Sequence, residues 1–397
     1  MLSLRVPWAS SAPSLNTGVL LLCQVVGIAS VAAIQFVGGL VGKGLALDMR
    51  LATLPVAVLV LSASLGTWPA SQLMRRFGRK PCFITAALLG AGCLVLAAHA
   101  VHRMDFWLFC AAVLGVGLQG AFVQQYRFAI LEGQESSRAP GLLTRIQLAS
   151  AAGIIPGISL FSLLEGRTAD YVPWALLTLA LLQVLGALAL SLYQQPQATL
   201  VAAASAAPSA QARELYWPMV AMGAGAFLVM SLLMVPTPLQ MCGVEKYMIR
   251  QASWVIQLHL LSMYLPSLSI GALLKRMSIA RVQGLGLLFL LVGFLVSWVQ
   301  GLSGHLIGLA LIGVGWCFVF VTATTLVARS RSGAESFRAQ GINDLCVFAA
   351  SGLASLTSGA LLSVLGWNGL VRLGLVLVLG LMALSWHIHR PRPLTAT

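Results

Sequence analysis

Residues 71–80 read SQLMRRFGRK, a short basic stretch between two long apolar runs. In the second half of the chain, residues 271–281 read GALLKRMSIAR and again follow a long apolar run. In both stretches a small residue is followed by Leu and then by a basic pair, in the same register. Because each stretch comes after the second apolar run of its half, the sequence predicts two related halves.

The composition is that of a membrane protein. Hydrophobic residues make up 59% of the 397 residues and charged residues only 9%, whereas soluble domains contain about 25% charged residues. A helix needs about 20 mostly apolar residues to cross a bilayer, and a lipid-exposed backbone must satisfy its own hydrogen bonds. We therefore expect an all-α membrane protein with twelve transmembrane helices. The predicted spans are residues 16–41, 50–73, 81–101, 106–130, 140–164, 172–193, 215–240, 250–274, 281–301, 304–328, 338–364 and 367–388.

A polar segment separates spans six and seven. Residues 193–214 read YQQPQATLVAAASAAPSAQARE and are rich in Ala, Ser, Pro and Gln. We interpret this segment as a flexible cytoplasmic linker. The sequence therefore predicts a six-helix bundle in residues 1–192, the linker in 193–214 and a second six-helix bundle in 215–397.

The basic residues predict the orientation. With the N-terminus inside, 17 of the 24 Lys and Arg residues fall in cytoplasmic segments and 7 in outer segments. Since cytoplasmic loops carry an excess of Lys and Arg, we expect both termini in the cytoplasm. The net charge of +14 thus has a topological explanation that does not require nucleic-acid binding. The seven cysteines are scattered singly, which fits free thiols better than a disulfide framework or a zinc site.

The repeated six-helix halves resemble the major facilitator superfamily, whose loop motif is usually Gly-x-Leu-x-Asp-Arg-x-Gly-Arg-Lys. In this chain Ser71 replaces the Gly and Arg75 replaces the Asp. The residues that match the motif are Leu73, Arg76, Gly78, Arg79 and Lys80. The resemblance implies two bundles around a central cavity, alternating access, and a loop that latches the inward gate, with Arg76 and Arg79 in that latch. Without the Asp, the latch must work differently; alternatively, the loop is only a topological anchor.

Span four carries GVGLQGAFVQQYRF (115–128). Gln119 and Gly120 match the Arg-x-x-Gln-Gly pattern of proton-driven family members, whereas Val116 occupies the Arg position. Because an intramembrane Arg normally marks ion or proton work, its replacement argues against a proton-antiport drug pump. We interpret Arg127, near the inner end of this span, as a gate or headgroup contact; the alternative is a substrate ligand.

Asp344 is the carboxylate that lies most clearly within a predicted span, near the inner end of span eleven. We predict that it is a protonatable coupling site or the partner of a gating Arg. The alternative is a structural contact with Asn343, Arg338 or a basic loop residue.

Sulfur and imidazole side chains concentrate in spans seven and eight. Met230 and Met234 are four residues apart and share a helix face, as do His259 and Met263. Counted at 1.5 Å per residue, both pairs fall in the middle to outer half of the bilayer, and His259 is the one His that the sequence places well inside a span. Cys317 lies near the midpoint of span ten. Thioether, thiolate and imidazole ligands suit copper, above all Cu(I); the alternative is that the methionines fill gaps in the core.

Two stretches, VMSLLMVPTPLQM (229–241) and WVIQLHLLSMYLPSLSIGALLKR (254–276), resemble spans seven and eight of the CcoA-like branch of this superfamily. The resemblance extends to QQYRFAILE (124–132) and to QGINDLCVFAASGLASLTSGALLSVLGW (340–367). The branch includes bacterial copper importers and related riboflavin carriers. In the copper importers the two pairs are taken to carry the metal, and the corresponding residues here are Met230, Met234, His259 and Met263.

We therefore expect a secondary-active transporter of the bacterial inner membrane that imports copper through the Met/His site, with Cys317 assisting. The alternative is a carrier or exporter of a small organic solute such as riboflavin. The aromatic residues that would then matter more are Tyr126, Trp254, Tyr264 and Trp316. We expect a monomer in the lipid bilayer whose partner is its metal-ion or small-molecule substrate, with no cofactor, no enzymatic activity and no nucleic-acid partner.

Overall fold

The structure is a computed structural model that describes residues 12–132, 134, 138–168, 170–195, 213–331 and 334–390. Within these ranges the regular secondary structure is helical. The first half contains α1 (Ala12–Leu45), a 3-10 turn (Met49–Leu51), α2 (Leu54–Phe77), α3 (Arg79–His102), α4 (Phe106–Val123), α5 (Tyr126–Ala129), α6 (Ala139–Leu164) and α7 (Tyr171–Ser191). The second half contains α8 (Tyr216–Met234), a π-helical turn (Leu239–Val244), α9 (Ile249–Tyr264), α10 (Ser267–Arg276), α11 (Ile279–Ser297), α12 (Leu302–Arg329) and α13 (Ala334–His389).

Eleven segments of the described residues are long and apolar enough to cross a membrane. The last of them, Ala339–His389, has 51 residues. At 1.5 Å per residue it is roughly 75 Å long, more than twice the thickness of the apolar core of a bilayer. Gly366 interrupts its helical backbone with φ of 65° and ψ of −180°. The all-helical, multi-pass architecture is confirmed with eleven candidate spans, and the count of twelve stays a prediction.

The chain divides into two compact units. Unit 1 comprises Met1–Gln35 and Ser62–Val201, and unit 2 comprises Phe36–Leu61 and Ala202–Thr397. The end of α1 and the beginning of α2 therefore group with the second half of the chain. The sequence-based boundaries 1–192 and 215–397 stay a prediction, and most of the predicted linker, residues 196–212, lies outside the described residues.

Unit 1 is held together by small residues and buried polar pairs. Gly153 and Gly157 of α6 lie against the α1 backbone, where a Cβ would meet the carbonyls of Val25 and Ala29. Small residues let membrane helices approach this closely. Buried amide–hydroxyl hydrogen bonds, each 2.8 Å long, tie α1 to its neighbours through the pairs Gln24–Ser150 and Gln183–Ser30.

In unit 2, α12 is the central helix. It packs against α11, α8 and α9, while α8 also packs against α13. The α11–α12 crossing is close because glycines from both helices meet there: a Cβ on Gly315 would lie 2.6 Å from the carbonyl oxygen of Gly286. Residues on α8 and α9 are therefore positioned by one shared neighbour, α12.

Candidate functional site

The two predicted Met and His pairs lie on α8 and α9, which both pack against α12. Helices α8 and α12 run in opposite directions, since Gly223 lies beside Ala323 while Phe227 contacts Trp316, with ring centroids 4.8 Å apart. Met234 lies two helical turns beyond Phe227, about 10 Å further along α8. It reaches the level of Leu309, the residue of α12 to which His259 of α9 is hydrogen-bonded. The structure thus places Met234 and His259 at a similar level along α12.

The sulfur atoms are deeply packed. Relative exposure is 2% for Met230, 3% for Met234, 9% for Met263 and 1% for Cys317. In the part of the chain that the structure describes, no group of three or more His, Cys, Asp and Glu side chains could hold a metal. A copper site here would therefore have to depend on the thioethers.

His259 is fully buried, and its partner identifies the tautomer. Nδ1 lies 2.7 Å from the carbonyl oxygen of Leu309, and since a carbonyl only accepts hydrogen bonds, Nδ1 carries the proton. Nε2 then presents a lone pair, and among the described residues it has no hydrogen-bond partner. This is the orientation of a histidine that can accept from a donor group of a solute or bind a metal.

An aromatic cluster lies on the same helices, on the side of Phe227. It consists of Phe227, Trp316, Phe320 and Phe348, from α8, α12 and α13. The rings of Trp316 and Phe320 are stacked, with centroids 5.1 Å apart and an interplanar angle of 10°. Phe227 meets both of them edge-on, and it lies 6.0 Å from Phe348. The three Phe rings are only partly buried, so the cluster offers accessible aromatic surface.

Trp316 adds a polar group to the aromatic cluster. Its side chain is 9% exposed, and its Nε1–H has no acceptor among the described residues. A buried indole N–H normally finds a partner. The cluster therefore combines planar apolar surface with one unpaired hydrogen-bond donor, as expected for a site that binds a flat ring carrying a carbonyl.

The other three predicted aromatic residues have different surroundings. Tyr126 is buried in unit 1 and packs edge-on against Phe83, with centroids 4.7 Å apart. Trp254 is 47% exposed, and the Arg250 guanidinium stands over its ring. Tyr264 lies at the last residue of α9. Of the four, Trp316 belongs to the aromatic cluster.

The loop motif forms a polar cluster at one end of unit 1. The guanidinium of Arg79 pairs with the carboxylate of Glu132, and the backbone N–H of Arg79 donates to Oε1 of Gln195 at 2.9 Å. Burial and, to a smaller extent, the Glu132 charge raise the pKa of Tyr193 to about 12, against the opposing effect of Arg79. Sequence reasoning missed Glu132, Gln195 and Tyr193. Glu132 is the last residue of the QQYRFAILE stretch, and its charge could have suggested a partner for the basic loop. No feature of the sequence pointed to Gln195.

The remaining predicted gating and coupling residues have varied surroundings. Asn343 donates through Nδ2 to Oδ1 of Asp344 at 3.2 Å, and its own Oδ1 is buried without a partner in the described structure. Gln119 is 1% exposed and packs on Gly90. The Arg127 guanidinium lies over Phe128, and that of Arg76 over Phe77. The roles assigned to these residues stay predictions.

His305 is a second buried histidine, at the beginning of a span rather than well inside one. It lies in the first turn of α12 with 0% exposure. Its Nε2 is 2.9 Å from Oε1 and 3.1 Å from Oε2 of Glu245. Sequence reasoning missed this pair, because its members are 60 residues apart and no periodic pattern links them.

No family model matches the chain, but full-length relatives do. The riboflavin transporter RfnT of Brucella anthropi is 32% identical over 364 residues, which cover 89% of this chain and 90% of that protein. The uncharacterized MFS-type transporter YdeG of Bacillus subtilis is 25% identical over 387 residues, covering 91% and 88%.

Solved structures share the fold. A bacterial homologue of the human lysosomal transporter Spinster superimposes with a TM-score of 0.73 at 13% identity, covering 95% of this chain and 96% of that one. The nucleoside transporter NupG superimposes with a TM-score of 0.68 at 14% identity, covering 94% and 100%. At these identities the superpositions concern the fold alone.

Proposed function

The chain belongs to the major facilitator superfamily of membrane transporters, and on this premise we propose that it is a secondary transporter of a flavin-type solute, with riboflavin as the first compound to test. A full-length relative that is named a riboflavin transporter supports this substrate class. The proposal replaces copper import, which the relatives do not support.

The observation that carries the proposal is the aromatic cluster with the unpaired Nε1–H of Trp316. An isoalloxazine is a flat, tricyclic ring with carbonyl oxygens on one edge. Aromatic side chains bind such rings by offset stacking and edge-to-face contact, and an indole N–H can donate to a ring carbonyl. Ligand sites typically combine apolar walls with a few such polar groups.

The Met and His residues keep a role in this proposal as neighbours of the solute. Met230 and Met234 continue α8 beyond Phe227, and thioethers make favourable contacts with aromatic rings. His259 presents its Nε2 lone pair at the same depth, where it can accept from a hydroxyl or N–H of the solute. Cys317 follows Trp316 directly and is buried, and we assign it to packing.

The wider features predicted from the sequence are part of the same proposal. We propose a gradient-driven, monomeric transporter of the bacterial inner membrane that works by alternating access and needs no cofactor. Both termini lie in the cytoplasm, and the break at Gly366 divides the last long segment into spans eleven and twelve. Asp344, Asn343, Arg127, Gln119, Arg76 and Arg79 are proposed to act in coupling and gating.

Riboflavin uptake by an auxotrophic bacterium tests the proposal. We expect cells that express the wild type to take up riboflavin at low external concentration. Trp316→Phe keeps a ring but removes the donor, so we expect KM to rise about 2- to 10-fold, the cost of one hydrogen bond of about 0.5–1.5 kcal/mol. The matched control is Trp386→Phe, because Trp386 is 65% exposed; its KM should equal that of the wild type.

Two results would overturn the proposal. One is that wild-type cells take up no more riboflavin than cells without the protein. The other is that Trp316→Phe leaves KM unchanged at equal expression. Copper accumulation is measured in parallel in the wild type, Met230→Ala and His259→Ala. We expect no difference among them, and a loss of copper accumulation in both variants would restore copper as the substrate.

A further inference from the structure

We propose that Glu245 and His305 form a proton-binding site of the transporter, separate from the aromatic cluster. The site takes up one proton at Nδ1 of His305, which becomes an imidazolium facing the Glu245 carboxylate. This proposal concerns the coupling ion and does not depend on which solute the protein carries.

The pair is built and buried. The side chain of His305 is 0% exposed and that of Glu245 14% exposed. Nε2 of His305 is within hydrogen-bond distance of both carboxylate oxygens, and Nε2 of Gln240 donates to Oε1 at 2.8 Å. A carboxylate in this setting needs such donors, because burial of an unpaired charge is costly. Ionisable side chains within membrane segments commonly mark proton or ion pathways.

The geometry identifies the atom that receives the proton. A carboxylate only accepts hydrogen bonds, so Nε2 of His305 carries a hydrogen in either charge state. Nδ1 is buried and has no hydrogen-bond partner among the described residues. In the neutral ring Nδ1 is therefore a free base, and a proton from water adds there without any other reactant. Buried polar atoms without partners are rare, and a changing protonation state explains this one.

Two neighbours favour the protonated ring and one factor opposes it. The Glu245 carboxylate stabilises the imidazolium directly. The ring of Trp367 is in edge-to-face contact with that of His305, with centroids 4.8 Å apart, close enough for attraction between an aromatic ring and a cation. Burial favours the neutral ring. Because these effects oppose each other, the site can both bind and release a proton.

The elements around the pair also carry cations. Lys43 at the end of α1 lies beside Gly243, and Lys246 donates to the carbonyl oxygen of Gly243 at 3.0 Å. Arg250 stands over Trp254 and Arg372 over Trp298. The hydroxyl of Tyr247 is engaged by the backbone N–H of Leu302 at 3.1 Å. Proton uptake at His305 adds a further positive charge among these elements, and the Glu245 carboxylate is the group that faces it.

The position of the pair links proton binding to the helices around it. Glu245 directly follows the π-helical turn, and such turns occur frequently at functional sites. His305 lies in the first turn of α12. Trp367 comes directly after the break at Gly366, and its Nε1–H donates to the carbonyl oxygen of Ser297 at the end of α11, at 2.8 Å. One proton therefore acts where four elements of unit 2 meet.

The π-helical turn also holds the end of α1. A Cβ on Gly39 would lie 3.6 Å from the Leu239 side chain, and Lys43 lies against Gly243. When His305 is protonated, the ion pair strengthens the attachment of Glu245 and the turn before it to α12. When the proton is lost, the neutral His305 ring still donates one hydrogen bond from Nε2 to the Glu245 carboxylate, but the ion pair is gone. The turn and its contact with α1 are then held less firmly.

Hydrogen–deuterium exchange on the purified protein, without solute, tests the site directly. Histidines titrate near neutral pH, so exchange is compared at about pH 5.5 and about pH 8.5 after correction for the intrinsic effect of pH. In the wild type we expect several-fold stronger protection of residues 239–247 at the lower pH. Glu245→Gln should abolish this difference while keeping the fold, since the Gln carbonyl still accepts from Nε2. Asp170→Asn is the matched control, because Asp170 is an exposed carboxylate ahead of α7, and it should behave as the wild type.

Transport in proteoliposomes gives the second measurement. We expect an imposed proton gradient to drive riboflavin accumulation by the wild type and by Asp170→Asn. Glu245→Gln should lose at least about 10-fold of this accumulation but retain exchange of labelled for unlabelled solute, which needs no net proton movement. The proposal is wrong if the pH-dependent protection is missing from the wild type or survives in Glu245→Gln. If riboflavin is not transported but the hydrogen–deuterium exchange shows the expected dependence on pH and on Glu245, the result counts against the proposed substrate instead.

Discussion

His259 and His305 are both buried in unit 2, yet their partners give them opposite capacities. His259 donates from Nδ1 to a backbone carbonyl, which leaves the lone pair of the neutral ring on Nε2. His305 donates from Nε2 to a carboxylate, which stabilises a second proton on the ring. The residue type alone therefore does not define the role; the chemistry of the acceptor does.

Tyr193 allows a test at the scale of one hydroxyl group. It is fully buried, its hydroxyl has no hydrogen-bond partner among the described residues, and its pKa is raised to about 12 by burial and the Glu132 charge. An unfolded tyrosine ionises at about pH 10. The stability that Tyr193 contributes is therefore complete below about pH 10 and is lost as the pH rises towards about 12.

We expect Tyr193→Phe to be at least as stable as the wild type at neutral pH, because it removes an unpaired buried polar group. Above about pH 10 the wild type should lose melting temperature faster than the variant. Thermal unfolding of both proteins in the same detergent, at about pH 8 and about pH 11, measures this. Equal losses in the two proteins would show that Tyr193 ionises normally.

Individual residues also show how far the sequence leads. Residue counts along spans seven and eight predicted a common depth for Met234 and His259, and the register of both helices on α12 agrees. The aromatic cluster was not predicted, although Trp316 was named. Its members come from three helices, and packing decides which faces of these helices meet. The residue pattern within a single helix does not predict that.

Among the helices, the α11–α12 pair shows how glycines set a crossing. Gly286 and Gly293 of α11 meet Gly315 and Gly308 of α12, so the two backbones touch at two points about two turns apart. Without side chains between them, van der Waals contact and backbone approach replace the hydrophobic effect that lipid does not supply. The position of α12, and with it the aromatic cluster, depends on this crossing.

Gly315→Ala tests the crossing. Its Cβ would lie 2.6 Å from both the Gly286 carbonyl oxygen and the Leu290 backbone nitrogen, and neither is the end of a flexible side chain. We expect a loss of about 1–3 kcal/mol of stability, as for overpacked cores, seen as a lower melting temperature in detergent. The matched control is Gly284→Ala on α11, where a Cβ meets nothing within 4 Å; its melting temperature should not fall. Equal stability of both variants would contradict a close crossing.

The π-helical turn is an element that the sequence did not predict. The apolar run predicted one span at 215–240, whereas α8 ends at Met234 and the turn at Leu239–Val244 follows. Pro236 and Pro238 lie between them, and each lacks the N–H that would continue the hydrogen-bond ladder. Prolines predict an interruption, but whether the chain then stops or rewinds depends on the neighbours that the turn contacts.

For the whole molecule, the superfamily fold could be predicted because hydropathy, the basic loops and the repeated motif all point to it. The substrate could not, since one fold serves many solutes and the solute is set by side chains in a site. Thioether and imidazole pairs in the sequence favoured a metal. The assembled structure adds an aromatic cluster that no single span displays, and with it the flavin proposal.

The last segment has 51 residues, and whether it crosses the membrane once or twice decides whether the total number of crossings is odd or even. If the break at Gly366 is a turn outside the membrane, the segment crosses twice and the C-terminus returns to the side of the N-terminus. If it crosses only once, the termini lie on opposite sides.

Fusions distinguish the two cases: alkaline phosphatase is active only outside the inner membrane, and green fluorescent protein fluoresces when it folds in the cytoplasm. We expect a phosphatase fused after Gly366 to be active and a fluorescent protein fused after Thr397 to be bright, with a fusion after Arg331 as the cytoplasmic control. An active phosphatase at Thr397 would mean an odd number of crossings, and spans eleven and twelve would then be one.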